Sequence, residues 1–214
     1  MTGKTHLTIG AAVGAASAMY YSFELEHAAL YIGIAAFSAL SADLDGTSML
    51  SSKLSKLSKL IRELALWVSV LFLGVIAYYF FSGQSMSPIL VGSGAAALLL
   101  GLVMKQGVIR NALVSIVGVA FMYVGYTYQM NWLIGFGLFV AWVPWLNHRG
   151  MTHTLWAIPI WGAIAWGLEQ QLQIEGITIV AMLGYLSHLV ADTLTPSGVK
   201  WLYPFVKKSF KIRL

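Results

Sequence analysis

The chain has 214 residues, of which 58% are hydrophobic and 10% are charged, and it carries a formal net charge of +5. Soluble domains carry about 25% charged residues, so this composition excludes an ordinary soluble protein and predicts a polytopic membrane protein. Cysteine is absent, which excludes disulfides, thiol nucleophiles and cysteine-rich zinc sites. Nitrogen and oxygen are then the ligands left for any transition metal.

Apolar runs predict an all-α bundle of about eight transmembrane helices, forming a single domain over residues 1–214. Several spans are about 16 residues long and would cross about 24 Å, so we expect close packing through glycine and alanine. The predicted spans lie at about 7–22, 27–42, 61–82, 88–104, 107–127, 131–147, 154–168 and 176–193.

The basic residues all fall on one side of this predicted topology. Eight spans place both termini and the connections near 43–60, 105–106 and 148–153 on the same side. The opposite connections contain glutamates but no lysine or arginine. The positive-inside rule therefore predicts that both termini are cytoplasmic. The thirteen basic residues are Lys4, Lys53, Lys56, Lys59, Arg62, Lys105, Arg110, Arg149, Lys200, Lys207, Lys208, Lys211 and Arg213.

A basic segment near 51–63 precedes the third predicted span. Its basic residues recur at every third position and are offset from leucines, which on a helix gives one basic and one apolar stripe. This pattern predicts an amphipathic cytoplasmic segment that lies on anionic lipid headgroups. The alternative is an ordinary positive loop that fixes the orientation of the chain. The segment lacks a recognisable nucleic-acid-reading module, so we expect no nucleic-acid partner.

Seven ionisable residues meet at the predicted cytoplasmic ends of the helices. They come from the start of the first span, the end of the second, the loop between the sixth and seventh, and the end of the eighth. Imidazole and carboxylate together suit zinc, manganese or iron, and zinc is the ion we expect first. Seven candidates allow two ions, or one ion with carboxylates that orient the histidines. The candidate metal ligands are His6, Asp43, Asp45, His148, His153, His188 and Asp192.

Four short stretches resemble the motifs of a known family. Residues 148–154 read His-Arg-Gly-Met-Thr-His-Thr, which resembles the His-Arg-Gly-x-Thr-His-Ser/Thr signature of the bacterial YdjM-like proteins. Residues 184–198 are similar to the second motif of that family, and Thr5-His6 and Asp43-Leu44-Asp45 are similar to its weaker N-terminal motifs. Ala42 departs from the proline expected before the first aspartate. The resemblance implies a metal-dependent hydrolase of the bacterial inner (cytoplasmic) membrane, and it names no substrate.

The expected chemistry uses metal-activated water, because a divalent ion lowers the pKa of bound water towards about 7. Asp43 and Asp45 are expected to act as ligands or as a general base. Arg149 is expected to stabilise developing negative charge, or alternatively to anchor a phosphate headgroup. A site at the membrane edge, facing the cytoplasm, favours a membrane lipid or a lipid-linked small-molecule substrate. The preferred ligands are His6, His148, His153, His188 and Asp192.

Two other classes of function fit the same residues. Cation carriers also place His-x3-Asp pairs within spans, so a metal-ion or proton-coupled transporter is the first alternative. The ionisable residues gather on one face only, which favours an enzyme over a carrier. A metal-stapled structural membrane protein is the second alternative. The sequence indicates neither the bond that is cleaved nor the oligomeric state.

Overall fold

The described residues of the chain form helices and turns without a β-strand. The structure, a computed structural model, describes residues 1–21, 24–46, 48–83, 85, 87–103 and 105–212. Arg213, one of the predicted cytoplasmic basic residues, lies outside them. The all-α fold class is therefore confirmed for the described part of the chain. Its eight α-helices are α1 (Gly3–Tyr21), α2 (Leu25–Ser41), α3 (Ser52–Ser82), α4 (Pro88–Val103), α5 (Gln106–Thr127), α6 (Asn131–Trp142), α7 (Ala157–Leu172) and α8 (Ile177–Thr193).

Three apolar helical segments among the described residues are long enough to cross a membrane, judged by length and composition. They are Leu25–Asp45, Ser52–Ser82 and Gln106–Thr127. Further apolar helices are shorter, namely Pro88–Leu99, Asn131–Trp145 and Ile177–Thr193. The number of spans and the orientation of the chain stay predictions.

Five helix ends differ from the predicted spans by three residues or more. Helix α1 begins at Gly3 instead of 7, and helix α7 ends at Leu172 instead of 168. Helix α3 begins at Ser52 instead of 61, so the basic segment is the first part of a long helix. Helix α6 ends at Trp142 instead of 147, because Pro144 lacks an N–H donor and the chain turns through the 3-10 segment Val143–Trp145. Helix α7 begins at Ala157 instead of 154, because the preceding backbone is extended at Thr154.

The described chain divides into two compact units. The first unit contains Met1–Leu50 and Ser115–Leu214, and the second contains Ser51–Val114. In the second unit, α3 packs against α4, and the basic segment of α3 presents exposed lysines at 53, 56 and 59. The prediction of one domain over residues 1–214 stays a prediction.

In the first unit, close approaches between helices bring distant parts of the chain to one end of the bundle. A Cβ atom on Gly14 of α1 would lie 2.5 Å from the Cα of Ile32 in α2, and one on Gly184 of α8 would lie 2.5 Å from the carbonyl oxygen of Ala35. Small residues permit such backbone approaches. As a result, the start of α1 and the ends of α2 and α8 lie together.

Candidate metal centre

All seven candidate ligands lie in the first unit, and the structure brings them into one group, here called the polar cluster. The first turns of α1 carry one residue, the 3-10 turn Ala42–Asp45 carries two, the loop before α7 carries two, and the last turns of α8 carry two. Three overlapping groups of potential ligand atoms each lie within 4.8 Å. These groups are His6, Asp43 and His188; His153, His188 and Asp192; and Asp43, Asp45 and His148.

The centre of the polar cluster is a pair of fully buried imidazoles, those of His153 and His188. Their Nε2 atoms lie 3.2 Å apart. His188 Nδ1 lies 2.7 Å from the carbonyl oxygen of Ala39. Because a carbonyl oxygen can only accept, Nδ1 of His188 carries the hydrogen in the neutral ring and Nε2 has the lone pair.

The tautomer of His153 follows from a short chain of hydrogen bonds. The Thr152 hydroxyl donates to Asp45 Oδ2 over 2.6 Å and lies 3.0 Å from His153 Nδ1. Since the hydroxyl has a single hydrogen, it accepts from Nδ1 of His153, and the Nε2 atom again keeps its lone pair. In the neutral rings, two lone pairs therefore face each other inside the protein, an arrangement that a cation between them relieves.

Two carboxylates complete this arrangement. The Nε2 atoms of His153 and His188 lie 3.5 and 3.6 Å from Asp43 Oδ1, and 3.8 and 3.9 Å from Asp192 Oδ2. These separations are longer than ordinary N–H···O hydrogen bonds. Four ligands held tetrahedrally at about 2.0–2.1 Å from a metal lie about 3.3 Å from one another. The donor set and its spacing therefore fit a metal ion.

Asp45 has a different environment from Asp43, although the two belong to one turn. Its buried carboxylate accepts hydrogen bonds from Thr152, from His148 Nδ1 over 2.7 Å and from the Arg149 backbone N–H over 3.0 Å. The hydrogen bond to Asp45 raises the pKa of His148, whose side chain is 53% exposed. Asp45 thus orients both histidines of the 148–154 motif, and Asp43 is the aspartate that approaches the imidazole pair.

Asp192 is surrounded by hydrogen-bond donors. Its Oδ1 accepts from the amino group of Met1 over 2.9 Å and lies 3.3 Å from His6 Nε2. Its Oδ2 lies 3.0 Å from Arg149 Nη2. The His6 ring also stacks on His188 with 3.8 Å between centroids, and His6 Nδ1 has no hydrogen-bond partner among the described residues. His6 therefore contacts the centre both through Asp192 and through the stacked ring.

Among the residues that the structure describes, a polar cavity borders the polar cluster and an apolar cavity lies next to Thr152. A polar cavity of about 310 Å³ is lined by Met1, Gly3, Leu40, Asp43, Ser48, Met49, His148, Arg149 and Asp192. An apolar cavity of about 470 Å³ lies between α6 and α7, and its lining includes Phe139, Trp142, Trp156 and Thr152. Thr152 lies between the apolar cavity and the polar cluster. It lines the cavity, and its hydroxyl donates a hydrogen bond to Asp45 of the polar cluster.

Several residues that support the cluster were not singled out by the sequence. The carbonyl oxygen of Ala39 fixes His188, and the buried Tyr185 hydroxyl donates to the backbone oxygen of Thr152 over 2.7 Å. Tyr185 precedes His188 by one helical turn and lies within residues 184–198, which are similar to the second family motif. Ser187 donates to the carbonyl oxygen of Gly184 within its own helix and takes no part in the cluster. His27 begins the second predicted span, on the outer side of the predicted topology, and its Nδ1 lies 3.5 Å from Glu24 Oε2.

The whole chain matches a known protein family. The family model described as YdjM inner membrane protein matches residues 1–214. No curated protein matches the chain, and no solved structure matches it. The resemblance carried by residues 148–154 and 184–198 is therefore confirmed.

Proposed function

The chain belongs to the YdjM inner membrane protein family, and from that membership and the geometry of the polar cluster we propose that it is a metal-dependent hydrolase. The proposed substrate is a membrane lipid or a lipid-linked small molecule. The proposed cation is divalent and is held by His153, His188, Asp43 and Asp192.

One observation carries this proposal. The Nε2 atoms of His153 and His188 face each other at 3.2 Å in a buried site, and each has its other ring nitrogen engaged by a hydrogen-bond partner. Burial of polar groups without partners is costly, so this arrangement supports a cation that takes both lone pairs. A coordinated divalent ion supplies Lewis acidity and lowers the pKa of water, which makes hydroxide available near neutral pH.

The remaining polar residues have roles that follow from their contacts. Asp45 holds the proton on Nδ1 of His148, so Nε2 is the nitrogen of His148 that is left to take up or release a proton during the reaction. Asp45 accepts three hydrogen bonds and is therefore poorly suited to be the general base itself. Arg149 lines the polar cavity beside Asp192, where its guanidinium opposes negative charge on the substrate.

The apolar cavity between α6 and α7 supports an amphiphilic substrate. Its lining is almost entirely hydrophobic and reaches Thr152, whose hydroxyl donates to Asp45 of the polar cluster. An aliphatic chain in this cavity would bring the polar end of the molecule toward the His-Asp centre. The one-sided basic residues support a site that faces the cytoplasm.

The hydrolase proposal is tested with lipid extracts. Purified zinc-loaded protein is incubated with a bacterial membrane lipid extract, and the products are separated by mass spectrometry. We expect a cleaved species with wild-type protein and with His27→Ala, because His27 pairs with Glu24 away from the polar cluster. The species should be absent with Asp192→Ala and His148→Ala.

The same preparations distinguish an enzyme from a carrier. The hydrolase proposal is contradicted if the lipid extracts stay unchanged while proteoliposomes accumulate metal in a way that depends on His188. That result would indicate a metal-ion transporter instead.

A further inference from the structure

We propose that the substrate of this site is a phosphate ester, and that Arg149 binds one of its anionic oxygens through Nη1. This inference rests on the proposed metal-dependent hydrolase and names the chemical class of the bond that it cleaves.

The guanidinium of Arg149 is only partly used within the protein. Nη2 lies 3.0 Å from Asp192 Oδ2, whereas Nη1 is buried and has no hydrogen-bond partner among the residues that the structure describes. A buried donor without an acceptor is unfavourable, and Arg149 lines the polar cavity. An anionic oxygen in that cavity supplies the missing acceptor. A planar guanidinium also suits the geometry of phosphate.

The backbone around Arg149 holds the side chain in this position. Arg149 has a φ of +57°, in the left-handed region that residues other than glycine rarely adopt. Its N–H donates to Asp45, and the following Gly150 N–H donates to the Asn147 carbonyl oxygen over 2.8 Å. An unfavourable backbone conformation that is fixed by hydrogen bonds on both sides is typical of a functional position.

The charges around the polar cavity favour an anion only when a metal is present. Among the residues that line this cavity, Asp43 and Asp192 bring two negative charges, and Arg149 and the Met1 amino group bring two positive ones. A divalent cation changes this balance from neutral to net positive. A phosphate carries its negative charge before the reaction begins, so it gains from both the metal and Arg149 on binding. A carboxylic ester or an amide is neutral before the reaction begins, so its ground state has no anionic oxygen that would accept a hydrogen bond from Arg149 Nη1.

The inference is tested by phosphate binding to the purified protein. The protein is loaded with one equivalent of zinc in detergent, its zinc content is measured, and inorganic phosphate is titrated by calorimetry. We expect binding to wild-type protein and to Lys200→Gln, a control that removes a cation located over Tyr203. Binding should weaken about tenfold to a hundredfold in Arg149→Gln, which is typical for one lost hydrogen bond to a charged group. The phosphate affinity of Arg149→Lys should lie between those of wild type and Arg149→Gln, because lysine keeps the positive charge and loses the planar pair of donors.

A second arm identifies the source of the phosphate. Detergent micelles that contain phosphatidic acid compete with inorganic phosphate if a lipid headgroup is bound, and micelles of phosphatidylcholine alone serve as the reference. If inorganic phosphate binds and phosphatidic acid does not compete with it, the site binds the phosphate group of a soluble molecule instead of a lipid headgroup.

The inference is overturned if zinc-loaded wild-type protein binds no phosphate, or if zinc-loaded Arg149→Gln and Arg149→Lys bind it as tightly as wild type. In those cases zinc is bound and the hydrolase proposal stands without its phosphate substrate. A wild-type protein that binds neither zinc nor another first-row divalent ion contradicts both proposals, and the metal measurement separates the two failures.

Discussion

At the scale of single residues, Asp43 and Asp45 show how position within one turn separates two roles. Asp43 Oδ1 lies 3.5 Å from His153 Nε2 and 3.6 Å from His188 Nε2. Asp45 instead accepts hydrogen bonds from three donors. The sequence left both residues as ligands or general base, and their surroundings favour a ligand role for Asp43 and an orienting role for Asp45.

We predict that the two asparagine substitutions affect metal binding to different extents. Asp45→Asn replaces an acceptor oxygen by an NH₂ donor and should weaken zinc affinity by roughly 10–100-fold, as is typical for groups that orient ligands. Asp43→Asn removes the charge of a proposed ligand and should weaken zinc affinity more than Asp45→Asn does. Zinc affinity is measured by competition with a chromophoric chelator, and Glu26→Gln, an exposed carboxylate of α2, is the control. A greater loss for Asp45→Asn than for Asp43→Asn would reverse the two roles.

The sequence predicted which residues meet, but it could not predict which atoms face one another. All seven candidates share one end of the predicted helices, and the structure brings them together. The tautomers of His153 and His188 depend on the Thr152 hydroxyl and on the Ala39 carbonyl oxygen. Every residue has a carbonyl, so the one at Ala39 cannot be recognised before the helices are packed.

At the scale of helices, the contact between α2 and α8 positions His188. Gly184 approaches the backbone of Ala35, and one turn further along each helix His188 donates to the Ala39 carbonyl oxygen. The glycine therefore sets the distance at which the hydrogen bond of His188 can form. Gly33, also in α2, has open space where a Cβ would be added.

We predict that Gly184→Ala lowers both stability and metal content, whereas Gly33→Ala does not. The added Cβ at position 184 would lie 2.5 Å from a backbone oxygen, so the helices must separate, at a cost of about 1–3 kcal/mol. In the Gly33→Ala control, the free energy of unfolding should rise by about 0.5–1 kcal/mol, because alanine has a higher helix propensity than glycine. Thermal unfolding in detergent and zinc analysis of both variants provide the measurement. Equal unfolding temperatures and zinc contents would show that this contact does not control the site.

The helical cores could be predicted from apolar runs, but several helix ends could not. The ends of α6 and the start of α7 depend on Pro144 and on the extended residue Thr154. Helix α3 includes the basic segment from Ser52 onward, because lysine and leucine both favour helix even where the segment is too polar to be counted as a span.

At the scale of the whole molecule, the distribution of basic residues predicts which side of the membrane each connection faces. The length and composition of the helices do not test this topology. All thirteen basic residues are predicted on the cytoplasmic side, together with both termini and the 148–154 motif. Because the chain has no cysteine, single cysteines can be introduced and labelled without background.

We predict that cysteines at residue 150 and near both termini react only from the cytoplasmic side, and that cysteines at 25, 85 and 172 react only from the outside. Membrane-impermeant maleimide, applied to right-side-out and inverted vesicles, gives the accessibility of each position. Termini that are labelled from opposite sides would contradict the predicted eight spans.

The central claim is that the polar cluster is a metal site, and metal analysis of the purified protein tests it most directly. Wild-type protein and His27→Ala should each contain one or two first-row transition ions per chain, measured by plasma mass spectrometry. His153→Ala and His188→Ala each remove one of the two facing nitrogens and should lose most of the metal. Equal metal content in all four proteins would contradict the site.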